Sequence, residues 1–168
     1  MLDARSRSQS NLLSAIWRRE AVPPAFTLTG RGSRRRAGTP IIEVTHAMQS
    51  LPEDRTPEAV AEARITKVLR LRALRSLARQ SLRRFILQGY EEGSLAWVDR
   101  VTLASAFDGA LARGETIMIG YEPRSDETLI VGPGPGVTVM FGAGVMRATW
   151  RAWLCPRDQP GLGDELVQ

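Results

Sequence analysis

The turns in the C-terminal third are too short to carry crossovers, and this constrains the fold more than any other feature of the chain. An apolar stretch from Phe107 to Leu111 ends at Gly114-Glu115, and strand-like segments follow at Ile117 to Tyr121, Thr128 to Val131 and Val137 to Phe141. A parallel connection needs a dozen or more residues, so these three strands must be antiparallel neighbours. The closing segment, Trp150-Arg151-Ala152-Trp153-Leu154, has two large rings at helical spacing to lay over the meander. Helices fall in pairs between groups of strands. The expectation is an α+β fold, an antiparallel sheet with helices packed on one face.

Upstream, Phe26 to Thr29 alternates like a strand, and Gly30-Arg31-Gly32-Ser33-Arg34 reads as a turn. Ile41 to Gln49 follows Pro40 and starts β-branched, which suits a strand. Thr56-Pro57-Glu58 is a helix start, with Thr as N-cap and Pro in the first turn. From Ile65 to Leu74 the alternation sets Leu69, Leu71 and Ala73 on one face and Arg70 and Arg72 on the other. Ser76 then reads as the cap of a helix reaching Gly89, with Leu77, Leu82, Phe85 and Ile86 as its apolar stripe. A second helix is expected over Trp97 to Arg113, with Trp97, Val101, Ala104, Phe107 and Leu111 inward and Gly114 as C-cap. Gly132-Pro133-Gly134-Pro135-Gly136 lacks the Lys-Ser/Thr of a phosphate loop and reads as a hairpin turn.

With 43% of 168 residues hydrophobic, the chain has material for one core. The expected organisation is a poorly structured extension over residues 1–25 and a single domain over 26–168. No apolar run approaches the roughly 18 to 20 residues of a bilayer-spanning helix, so a soluble protein is expected. The short apolar run Leu12 to Trp17 makes a poor secretory signal, and the reading is cytoplasmic. A single cysteine, Cys155, and a single histidine, His46, exclude a disulfide framework, most metal sites and a Ser-His-Asp arrangement. No cofactor motif is present.

Charge is uneven. Residues 1–38 hold eight arginines against Asp3 and Glu20, and residues 64–84 hold eight basic residues and no acid. Arg75, Arg79 and Arg83 recur every four residues, with Arg84 beside them, and such a face can neutralise phosphates. It comes without interleaved aromatics, a zinc site or a helix-turn-helix pattern, so binding of nucleic acid or an acidic membrane ranks third among the readings. His46 alternates to the opposite face from Thr45 and reads as a surface or edge residue. Trp150 and Trp153 read as core. Nothing near Cys155 argues for a lowered thiol pKa.

Six segments in order give a further pointer. They are Gly30-Arg31-Gly32-Ser33-Arg34, Leu51-Pro52-Glu53, the basic strand Lys67 to Arg72, Arg113-Gly114-Glu115, Tyr121-Glu122-Pro123 and Trp153-Leu154. Together they resemble the chalcone isomerase-like family, in its bacterial type, over residues 26–168. The resemblance implies an open-faced sandwich with a ligand cleft between the sheet and its helices. It also implies that Arg34 is the ligand-contacting arginine and that Thr45, eleven residues on, assists it. In an isomerase these two would be the catalytic candidates, since a guanidinium can hold a phenolate and a hydroxyl can stabilise a developing enolate. In non-catalytic relatives the same arginine takes a carboxylate, for which its fork is suited. The stretch Leu77 to Phe85 lacks the Tyr, Lys and Asn of the true isomerases, and Cys155 stands in place of the Gly that follows Trp-Leu. The expectation is therefore a binding protein for a small apolar or aromatic ligand with an anionic or phenolic end. Chalcone-type isomerisation (an intramolecular lyase) is the alternative.

Overall fold

The computed structural model describes residues 25–133 and 136–168. Six strands form one antiparallel sheet in sequential order. They are β1 (Thr27–Arg36), β2 (Thr39–Met48), β3 (Lys67–Ala73), β4 (Thr116–Glu122), β5 (Glu127–Val131) and β6 (Thr138–Phe141). The described helices are α1 (Pro57–Glu62), α2 (Arg79–Leu87), α3 (Trp97–Ala106), α4 (Ala143–Leu154) and α5 (Leu162–Leu166). The α+β expectation holds: the last three strands are a meander, with helices against one face.

Register determines which side chains share a face, because paired residues project to the same side. One row on the helix side runs Gly32, Val44, Leu71 and Ile117; the next runs Gly30, His46, Leu69, Ile119 and Ile130. These apolar positions pack under Leu82, Phe85, Leu103, Phe107, Trp150 and Trp153 as the main core. The opposite face carries a smaller cluster of Val68, Met118, Leu129 and Val131, with Phe26 and Val137 beside it. Thr56 caps α1 by accepting from the Ala59 N–H at 3.3 Å, as its sequence position implies.

Several expectations are corrected. Gly30 to Arg34 is not a turn but the middle of β1, and the hairpin turn lies at Ala37-Gly38, both at positive φ (48° and 77°). The glycines serve close approach instead. A Cβ on Gly30 would fall on the Glu165 carbonyl oxygen, and one on Gly32 would lie 2.7 Å from Leu162 Cδ1. Their absence lets α5 rest on the strand. α3 is shorter than expected: Trp97 and Val101 are exposed, while Leu103, Ala106, Phe107 and Leu111 are buried. Ser76 does not cap α2, which starts after Ala78; its hydroxyl accepts from the Arg113 N–H at 3.1 Å. Of the Gly-Pro turn, residues 134 and 135 lie outside the described residues, as do residues 1–24 of the expected extension.

The free edge of β1 is covered by the C-terminal segment. Gln168 N donates to Thr29 O at 3.0 Å, and Gln159 clamps the strand by donating to Ser33 O at 2.7 Å and accepting from Arg35 N at 2.9 Å. An unpaired edge would otherwise present open backbone groups.

Candidate anion-binding site

Arg34 falls on the helix-facing side of β1, opposite Ile42 and in line with Gly30 and Gly32. Where the glycines admit α5, Arg34 sends its side chain inward past the end of α4. The residue is 3% exposed. Nη1 donates to the Ala152 carbonyl at 2.8 Å, and Nη2 donates to Asp158 Oδ1 at 3.1 Å. The guanidinium carbon stands 5.7 Å from the Phe85 ring centre and 5.6 Å from that of Trp153, in cation–π range of both. Nε is buried with no hydrogen-bond partner among the described residues. Burial lowers the Arg34 pKa and the Asp158 charge opposes that, but a guanidinium stays protonated.

The ion pair is lopsided. The Arg34 side chain is 4% exposed, whereas that of Asp158 is 65% exposed. Beside them opens a cavity of about 440 Å³, lined by Arg34, Arg35, Arg36, Phe85, Gln88 and Asp158 among others. A buried cation therefore faces a solvent-open hollow beside a carboxylate whose side chain is mostly exposed.

Thr45 does not join this site. Its cross-strand partners are Arg31 and Arg70, three positions along β2 from the Ile42 that pairs Arg34. Odd spacing in a strand reverses the face, so Arg34 and Thr45 lie on opposite sides of the sheet. Thr45 is buried, and neither its hydroxyl nor Arg70 Nε has a partner among the described residues.

His46 is not at the surface or an edge; it is fully buried under α4. Alternation carried no exposure signal here because both faces of β2 are covered from Val44 to Met48. Trp150 Nε1 donates to His46 Nε2 at 3.1 Å, and Nδ1 meets Thr29 Oγ1 at 2.5 Å. An indole N–H only donates, so the ring proton is assigned to Nδ1. Burial and the Lys67 charge push the His46 pKa down to about 3, and the ring is neutral.

Lys67 is the buried group that the sequence reading missed, although it shares the parity of Leu69, Leu71 and Ala73. It is fully buried, donates from Nζ to Val60 O at 2.8 Å and Ala61 O at 3.1 Å, and lies 4.9 Å from the Trp150 ring centre. Desolvation lowers its pKa to about 7, partly offset by Glu62. The helix arginines are partly neutralised: Arg79 pairs with Asp108 at 3.2 Å, and Arg83 lies 3.9 Å from the same carboxylate. Burial, with Glu58 next, raises the Cys155 pKa to about 11, which keeps the thiol un-ionised at neutral pH.

No family model and no curated protein matches the sequence. Among solved structures, a fatty-acid binding protein of Arabidopsis thaliana superposes with a TM-score of 0.65 at 15% identity, covering 86% of this chain and 88% of that one. The likeness is one of fold. The sheet with its helices on one face is thus of the chalcone isomerase-like type. No described helix is long and apolar enough to cross a membrane.

Proposed function

We propose that the protein binds a small amphipathic anion whose carboxylate or phenolate end docks on Arg34 and whose apolar part lies along Phe85. The observation that carries this reading is the lopsided pair. A 4%-exposed guanidinium at the floor of the cavity is matched only by a carboxylate on a 65%-exposed side chain. An incoming anion displaces Asp158 into water at little cost and takes over a fork already held in place by Ala152 and the two rings. The cavity volume is within the usual range for small-molecule sites. The fold neighbour binds fatty acids, which supports the same ligand class.

Turnover is not part of the proposal. Isomerisation needs a polar group at the enone carbonyl while Arg34 holds the phenolate, and Thr45, the candidate for that role, lies across the sheet from Arg34. Trp153 stands close enough to Arg34 for its emission to report binding. Titration with dodecanoate below its micellar concentration should give a saturable change in the native protein and none in Arg34→Gln, with circular dichroism checking that the variant folds. An identical response in both proteins removes Arg34 from the site.

A further inference from the structure

The Arg34 cavity holds more positive charge than a single carboxylate would use. Three consecutive arginines, Arg34, Arg35 and Arg36, are among its lining residues together with Gln88 and Gln159, and Asp158 is the one acid among them. Glu91 and Glu92 line a separate cavity of about 350 Å³ beyond Asp158, where Glu91 is 3.6 Å from Arg157. The three arginines are brought together by local backbone geometry. The chain reverses at Ala37-Gly38, with Ala37 at φ 48°, a left-handed conformation that a residue with a Cβ adopts at a cost. Both turn residues reach the cavity rim, and the Gly38 carbonyl accepts from Arg35 Nη1 at 3.1 Å, which pre-orders that side chain.

Resting on the binding reading above, we infer that the head group this site prefers is a phosphate monoester rather than a carboxylate. A phosphate monoester carries about −1.5 to −2 charges at pH 7 and three acceptor oxygens. That matches a buried fork in a cavity to which two further arginines contribute, where a carboxylate brings one charge and two oxygens. The net charge of the lining residues, three arginines against one aspartate, is balanced by a dianion and left in excess by a monoanion.

The test compares dodecyl phosphate, dodecanoate and inorganic phosphate by calorimetry at pH 7.5 and fixed ionic strength, using the full chain. Dodecyl phosphate should bind about tenfold more tightly than dodecanoate. The exposed Arg36→Gln variant, which leaves the Arg34 contacts intact, should lose about fivefold for dodecyl phosphate and under twofold for dodecanoate. Inorganic phosphate binding as tightly as dodecyl phosphate supports the phosphate chemistry with a free ion as its source; much weaker binding supports a phosphorylated amphiphile. Equal affinity for the two amphiphiles, or equal losses in Arg36→Gln, overturns the phosphate preference and leaves the anion site standing. No binding of either amphiphile to the native protein overturns both.

Discussion

Two buried cations in this molecule use the same structural device to different ends. Arg34 caps the last turn of α4 through Ala152 and lies against Trp153; Lys67 caps the last turn of α1 through Val60 and Ala61 and lies against Trp150. In both, a helix terminus that would leave carbonyls without partners receives charged donors, and an aromatic face offsets part of the desolvation. The difference lies in what surrounds them. Arg34 has an open cavity and a mostly exposed counter-ion, whereas Lys67 is sealed, with no carboxylate in contact among the described residues. On the proposed reading, the comparison separates a cation placed to be recruited by a ligand from one that only holds the fold. Burial alone does not mark a site; burial beside a replaceable partner does.

The largest effect should come from removing the aromatic roofs. Trp150→Ala deletes a fully buried ring, leaves His46 Nε2 without its donor and uncovers Lys67, and should cost about 3–5 kcal/mol in urea unfolding. Trp153→Ala should cost a similar amount by burial, and in addition weaken anion binding because its ring faces Arg34. The comparison breaks if both variants, at temperatures where they remain folded, bind dodecanoate equally well.

Next in size is the dependence of stability on pH. His46 and Lys67 both have folded-state pKa values below their unfolded ones, about 3 against 6.5 and about 7 against 10.5. Between each pair of values the unfolded chain binds more protons than the folded one, so stability rises with pH through both windows, at most about 1.4 kcal/mol per pH unit for each group. The melting temperature should therefore climb from pH 3 to 6.5 and again from pH 7 towards 10.5. Lys67→Met should flatten the upper climb and leave the lower one. A native profile that stays flat above pH 7 would show the Lys67 ammonium to be well solvated, and the contrast with Arg34 would lose its basis.

The contrast also shows what could be read from the residues. Short turns after Gly114 and at residues 123–126 dictated the antiparallel meander, and the alternation of Leu69, Leu71 and Ala73 marked the helix-facing side of β3, as the register shows. Thr56-Pro57 gave the start of α1 because a cap is a local interaction. Gly-x-Gly-x-Arg was legible as a motif but misread as a turn, since its glycines answer to α5, more than a hundred residues away. That five-residue helix, close behind Pro160 and Gly161, is too short for a periodic signal. The partners of Arg34 could not be read either: Ala152 and Asp158 are set by how α4 ends, and no local pattern encodes that. Thr45 illustrates the opposite hazard. Its spacing from Arg34 invited a pairing that the parity of the two strands excludes.

The smallest effect on stability, and the sharpest test of the difference between the two cations, belongs to Asp158. Its pair with Arg34 has one end mostly in water, so Asp158→Asn should change unfolding stability by under about 1 kcal/mol. For the proposed binding, however, Asp158 would be a competitor. It occupies Nη2, the donor an incoming anion would use, and adds a negative charge at the cavity mouth. Removing that charge while keeping the side-chain shape should raise affinity for dodecanoate by about fivefold, read by fluorescence titration, and by more at low salt than at high salt because the mouth is exposed. Lowered affinity would mean that the carboxylate helps to build the site instead of standing in for its ligand. In that case Arg34 would join Lys67 as a purely structural cation.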